Sequence, residues 1–219
     1  MADNKEKDAW LHIVDPNDLD LHMANIGQAP ANANIVKTFF SEYPLKAGSS
    51  LLIPGCGTCQ MFDYINPLDI GNVKITFTDI NLKMLAKAKN RLQKYDISKY
   101  SFIKDDIENT VISGKYDAVL LSLVLLHIDW KKSIKNILAF SPSAIYIIEQ
   151  SQKSFVSPVT KKRDLPKSIR EYAKITNSGL INLPELINFL NKEGFRLIRE
   201  INCEVPDMKV MHGFVFLKK

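Results

Sequence analysis

Gly55 and Gly57 lie in Ser50-Leu-Leu-Ile-Pro-Gly-Cys-Gly-Thr-Cys-Gln60, where an apolar run stops at a Gly-x-Gly turn, and Asp79 ends the next apolar run. The chemistry this spacing suits is the binding of a nucleoside. A strand brings the chain to a sheet edge, glycines let the backbone turn and approach a ligand closely, and a carboxylate at the next strand end accepts bonds from ribose hydroxyls. Asp106, in Lys104-Asp-Asp-Ile107, is a second acid at a later strand end and would serve an adenine amino group. A nicotinamide dinucleotide turn asks for a third glycine where this chain has Gln60, so the glycines alone leave the cofactor open.

Cys56-Gly-Thr-Cys59 has a rival reading, because Cys-x-x-Cys between a strand and a helix is the arrangement of a thioredoxin-like redox pair. The preceding residues lack a Trp of the thioredoxin type, and that reading leaves Asp79 and Asp106 without a purpose. A zinc site needs two more ligands at suitable spacing, and none stands out, so no metal is expected. Both cysteines then read as small residues in a tight turn and helix start.

The elements that must position these residues follow from periodicity. Leu51 to Ile53, Lys74 to Phe77, Ser101 to Ile103, Ala118 to Leu121 and Ala144 to Ile148 read as strands, separated by helical patterns, which implies a parallel sheet. Asn81 is a good N-cap for a helix whose Leu82, Leu85, Ala88 and Leu92 form one stripe, and a second helix runs from Trp130 to Phe140, before Ser141-Pro142. Pro30 in a first turn opens a helix over Ala31 to Phe40, closed by Tyr43-Pro44, within an N-terminal cap of residues 1–45. Residues 46–150 form the cofactor-binding core and 151–180 a lid-like insertion with a short helix near Lys167 to Ile175. Residues 181–219 hold a helix from Leu183 to Lys192, closed by Gly194, and an antiparallel hairpin of Phe195 to Val205 and Lys209 to Leu217 that turns at Asp207. The expected fold is α/β: one Rossmann-like three-layer sandwich with a mostly parallel seven-stranded sheet.

Composition narrows the class. The 219 residues, 46% hydrophobic and 24% charged, suit one ordinary globular domain. No run reaches the roughly 18 apolar residues of a membrane span, and the acidic first residues do not suit a signal peptide, so a cytoplasmic protein is expected. Three cysteines make no disulfide framework. The net charge of +5 comes from lysines interleaved with acids, a weak case for nucleic acid. The densest basic stretch, Lys161-Lys162-Arg163 with Lys167 and Arg170, reads either as a solvated face or as a holder for an anionic substrate.

From Leu51 through Gln150 the chain resembles the class I S-adenosylmethionine-dependent methyltransferases, with five segments in the expected order and a matching terminal hairpin. The resemblance implies that Gly55, Cys56, Gly57 and Gln60 pass beside the methionine moiety. It implies that Asp79 takes both ribose hydroxyls with Ile80 against adenine, and that Asp106 accepts from the adenine amino group with the Ile107 amide at a ring nitrogen. Tyr116 through His127 look like the fourth strand and the loop lining the methyl-transfer cleft, which places Ser122 and Leu123 there. Two positions depart from the family's first motif: Ile53 replaces the acid and Cys59 the third glycine. Gln60, Asp63 or Gln28 are the candidates to hold the cofactor's amino group instead. The Pro-Gly-Cys-Gly form is similar to that of the thiopurine and halide or thiol methyltransferases, while the later motifs look like the broad small-molecule group.

Methyl transfer from a sulfonium needs alignment, exclusion of water and, for a protonated acceptor, a base. His127 is the best-placed base or acceptor contact, with a structural role as the alternative. Glu149, at the end of the fifth strand, could bind an acceptor amine or act as base. Tyr172 and Arg170 belong to the lid helix. His22 and Met23 could face the acceptor, although a surface place is expected for them, and His12 and His212 read as incidental. The expected activity is transfer to a small-molecule acceptor, with S-adenosylhomocysteine as product. The alternatives are an RNA or protein methyltransferase and a non-catalytic cofactor-binding domain. The sequence leaves the oligomeric state open.

Overall fold

The aliphatic runs form a seven-stranded sheet in the order β3-β2-β1-β4-β5-β7-β6. The computed structural model describes residues 4–96, 98–152, 165–176, 179–206 and 209–219. The strands are β1 (Ser50–Pro54), β2 (Lys74–Asp79), β3 (Tyr100–Lys104), β4 (Ala118–Ser122), β5 (Ala144–Gln152), β6 (Phe195–Val205) and β7 (Lys209–Lys218). β1 to β5 pair in parallel, whereas β7 runs antiparallel to both β5 and β6. The expected turn at Asp207 and the Lys161-Lys162-Arg163 stretch lie outside the described residues.

The chain passes through helices α1 (Asn4–His12), α2 (Pro16–Asn25), α3 (Gln28–Glu42), α4 (Leu82–Leu92), α5 (Trp130–Ala139), α6 (Lys167–Ile175) and α7 (Leu183–Lys192). Strand alternation divides the core in two. Ala144, Tyr146 and Ile148 of β5 pack with Ile35, Val36 and Phe39 of α3 and Ala88 and Leu92 of α4. Ile145 and Ile147 face the other way, onto Ile134 and Ile137 of α5 and Leu186 and Leu190 of α7. Three layers result.

A third apolar cluster lies apart from the sheet. Ala9 of α1, Val14, Met84 of α4, and Leu165, Ile169 and Tyr172 at α6 pack together, with Trp10 and Leu19 against them. These helices roof the carboxyl ends of the parallel strands. The N-terminal cap is thus three helices rather than one. Asp15 caps α2 by accepting from Asn17 N at 2.8 Å, and Pro16 takes the first position, a start signal that was available in the sequence. α3 begins at Gln28 behind Gly27 in left-handed conformation, so Pro30 is its third residue.

Asn81 caps α4 as expected, its Oδ1 accepting from Lys83 N at 2.9 Å. The buried stripe of that helix is Met84, Leu85, Ala88 and Leu92, while Leu82 is 60% exposed. The first helical residue projects past the end of the sheet, and Met84 reaches into the roof cluster instead.

Gly213 of β7 permits a close approach of α3 to the sheet. A Cβ there would stand 2.4 Å from Ile35 Cγ2 and 2.9 Å from the Phe39 ring. Gly213→Ala should therefore lose about 1–3 kcal/mol through forced displacement of α3. Urea unfolding of the variant with an unchanged midpoint would show that α3 yields freely.

Candidate active site

The first-motif turn is shaped by residues in left-handed conformation. Gly55 has φ +58° and Gly57 φ +54°, and Cys59 adopts φ +55° despite its side chain. A Cβ at Gly55 would lie 2.3 Å from Val124 Cγ2, so the turn after β1 and the loop after β4 interlock through the missing side chain. Nothing stands within 4 Å of the Cβ position at Gly57, which opens on a cleft. Cys59 thus has glycine-like geometry, a strain of about 1–2 kcal/mol. The chain then turns into a single 3-10 turn, Gln60–Asp63.

Asp79, at the end of β2, holds this turn in place. Its Oδ2 accepts from Gly57 N at 2.8 Å and its Oδ1 from Asn81 N at 2.8 Å. Burial pushes the carboxyl up to about 6, against the lowering effect of backbone donors at Asn81, Gly57 and Ile80. The carboxylate has about four lone-pair directions, so these backbone donors still leave it able to accept from a ligand.

At the end of β3 the two adjacent acids diverge. Asp105 is buried and accepts from Thr110 Oγ1 at 2.7 Å and Val111 N at 3.0 Å. Asp106 pairs with Lys7 of α1 and accepts from Asn109 Nδ2 at 2.8 Å and Glu108 N at 3.1 Å. Burial would raise its pKa, but donation from Lys7 and Asn109 prevails and holds it below the ordinary carboxylate value.

A cleft of about 240 Å³ joins these groups. Gly55, Cys56, Gly57, Gln60, Asp79, Ile80, Asp106, Ile107, Ser122 and Leu123 all line it, as do His127 and Tyr172. Leu123 also has φ +55°, so the wall after β4 is strained where it meets the cleft. His22 and Met23 line the cleft as well, and His22 is buried, against the expected surface place. Met23, Leu19 and Ile169 give this end of the cleft an apolar wall.

Glu149 is not in the lining. It is fully buried on the sheet face of Ile145 and Ile147, while its neighbour Gln150 points to the cleft and accepts from Gln28 Nε2. One residue of register separates the two, because successive strand side chains alternate in direction. Burial pushes the Glu149 carboxyl up to about 8, in spite of nearby backbone N–H groups of Leu125 and Gln150. Arg170 also stays out of the lining; its Nη2 donates to Leu165 O at 2.9 Å.

Of the three replacements for the absent first-motif acid, Asp63 is taken up by Arg91 at 3.0 Å and does not reach the cleft. Gln28 lines the cleft but donates to Gln150 and to Met211 Sδ. Gln60 donates through Nε2 to Asp20 O at 2.8 Å, while its Oε1 is buried without a partner. Asn32 Oδ1 and Trp10 Nε1, also in the lining, are likewise buried and unpartnered. Buried polar atoms are normally satisfied, so these three are the cleft groups with hydrogen-bonding capacity to spare.

The cysteines are free, and burial pushes the Cys56 thiol well up, with Cys59 adding to the rise. An activated redox thiol requires the opposite shift. Among the described residues no group of three or more His, Cys, Asp or Glu could hold a metal ion, and no helix is long and apolar enough to cross a membrane.

Residues 52–140 match the family model described as a methyltransferase domain. The matched segment runs from β1 through α5. The chain aligns with magnesium protoporphyrin IX methyltransferase from Synechocystis PCC 6803 with bound SAH at TM-score 0.65 and 17% identity, covering 87% of this chain and 83% of that one. N-methyltransferase NodS from Bradyrhizobium japonicum WM9, in complex with SAH, gives TM-score 0.61 and 14% identity over 87% of each chain. The [4+2]-cyclase SpnF gives TM-score 0.62 and 15% identity over 86% of this chain and 81% of that one. At these identities the likeness is one of fold. Comparison with curated proteins finds no match.

Buried Glu149 makes the stability of the fold depend on pH. Its folded pKa stands above its ordinary value of 4.5, so the stability it permits is full below that value and is lost as pH rises through about 8. Glu149→Gln should leave acid stability near that of wild type and gain on the order of a few kcal/mol at pH 8. Urea midpoints that keep the same pH dependence in both proteins would contradict it.

Proposed function

We propose that this chain is an S-adenosylmethionine-dependent methyltransferase acting on a small-molecule acceptor. One observation carries the reading. Within a segment that matches the methyltransferase-domain model over residues 52–140, the Gly55–Gly57 turn, Asp79 and Asp106 converge on one cleft at the carboxyl ends of the parallel strands. Ligands of open α/β sheets bind at that edge.

In this reading Asp79 accepts from the ribose hydroxyls, and Ile80 packs against the adenine. Asp106 and the Ile107 amide meet the adenine edge. Gly55 and Gly57 leave room for the methionine moiety, and the bare Gln60 Oε1 and Asn32 Oδ1 accept from its ammonium in place of the acid that Ile53 lacks. The cofactor supplies a methyl group on a positively charged sulfur, whose departure as a neutral sulfide needs no metal. The protein's part is to align the acceptor and keep water out. Leu19, Met23 and Ile169 supply the apolar wall, and His127 and Tyr172 the polar contacts at the acceptor end. Glu149 takes no part in the chemistry, because its buried side chain lies on the other face of the sheet.

Transfer is tested with methyl-tritiated S-adenosylmethionine and a fractionated cell extract. Label should enter the small-molecule fraction, and His127→Ala should abolish most of it. Label found in RNA or protein instead would overturn the acceptor class. Binding without any incorporation would place this protein among chains that carry the fold for other ends, as the [4+2]-cyclase does in its own case. Asp79→Ala should weaken S-adenosylhomocysteine binding by about 1–3 kcal/mol through lost charge-assisted hydrogen bonds. An unchanged dissociation constant would remove Asp79 from the ribose site.

A further inference from the structure

Glu6 belongs to none of the motifs above. It lies in α1, 6% exposed, at the point where three remote elements meet. Its Oε1 accepts from the Tyr172 hydroxyl at 2.6 Å and from Thr176 Oγ1 at 3.3 Å, and stands 2.9 Å from His127 Nδ1. A buried carboxylate is costly unless its partners satisfy it, so this one is held for what it contacts.

Counting protons shows what it does. His127 Nδ1 is also 2.9 Å from the Tyr172 oxygen. A carboxylate has no proton to give, and the single phenolic proton is directed to Glu6 at the shorter distance. Neither group can donate to Nδ1. Nδ1 must therefore carry the ring proton itself, and in the neutral imidazole the lone pair falls to Nε2. The ring is steadied edge-on by Trp10, with centroids 4.8 Å apart, while His127 lines the cleft. Among the described residues none bonds to Nε2.

We infer that Glu6 is a positioning residue that fixes His127 in the Nδ1–H tautomer, leaving Nε2 to take a proton from the methyl acceptor. The inference rests on the proposed methyltransferase reading and narrows its substrate class to acceptors with a proton on the attacking atom, a hydroxyl or an amine nitrogen. A carboxylate or thiolate would have no use for the device. The acceptor oxygen or nitrogen forms a bond to the methyl carbon, the carbon–sulfur bond breaks with its electron pair left on sulfur, and the acceptor's proton passes to Nε2. The resulting imidazolium faces the Glu6 carboxylate, which stabilises it, as in other acid-oriented histidines. The proton then leaves to solvent.

Two-bond proton–nitrogen correlation on the full-length ¹⁵N-labelled protein reads the tautomer without any acceptor. Wild type should show His127 protonated at Nδ1 and bare at Nε2. Tyr172→Phe should keep that pattern, whereas Glu6→Leu should shift it to a mixture or to the Nε2–H form. Glu6→Leu should also lower labelled-methyl incorporation at least tenfold, with S-adenosylhomocysteine affinity within about twofold of wild type, a split that loss of structure would not give. A wild-type ring protonated at Nε2 overturns the inference even if the variant does not fold, as does an unmoved tautomer in folded Glu6→Leu. Failure of wild type to bind S-adenosylhomocysteine would instead overturn the methyltransferase reading, so the two are separable.

Discussion

The Asp79 carboxylate joins three pieces of chain that would otherwise end independently. One oxygen takes the Gly57 amide from the turn after β1, and the other takes the Asn81 amide at the start of α4. Burial works against the charge strongly enough to push the group up to about 6. The two amide bonds offset part of that cost, and a donor-rich ligand would offset more. The same atoms that shape the glycine turn are thus the ones left facing the cleft, so the turn's geometry and the ligand's fit depend on one side chain.

Around that point polar contacts tie the roof to the motifs of the cleft. Asp20 of α2 pairs with Lys87 and Arg91 of α4 and accepts from Thr58, and Arg91 in turn donates to Thr58 O and Asp63. On the other side Lys7 pairs with Asp106, Trp10 O accepts from Asn81 Nδ2 at 2.8 Å, and Glu6 meets His127 and Tyr172. The N-terminal helices therefore touch every motif that lines the cleft. Their apolar contribution is the small cluster around Met84 and Tyr172, slight beside the two cores on the sheet.

This division explains what could be read from the sequence. The strands, α4, α5 and α7 are legible because burial against a sheet imposes strict periods on their residues. Gly55, Gly57, Asp79 and Asp106 are legible because their chemistry depends on local spacing. α1 and α2 left a fainter trace: Asp15-Pro16 and the Leu19–Met23 spacing are short signals, and the place of both helices is set by contacts to residues far along the chain. Hence Glu6, Lys7 and Trp10 were missed, and His22 was expected at the surface. Glu149 was expected in the site because it ends a strand; only the register, shown by Gln150 bonding to Gln28, decides which of two adjacent side chains enters the cleft. The glycine-like backbone of Cys59 was also hidden, since a side chain at φ +55° can be recognised only from coordinates.

The central claim is that the cleft over Asp79 and Asp106 holds S-adenosylmethionine. Calorimetric titration of the purified protein with S-adenosylmethionine and S-adenosylhomocysteine, and with NADH as control, tests it most directly. The account predicts one-to-one micromolar binding of the first two and none of NADH. Binding of NADH alone, or of no nucleoside ligand at all, would contradict it.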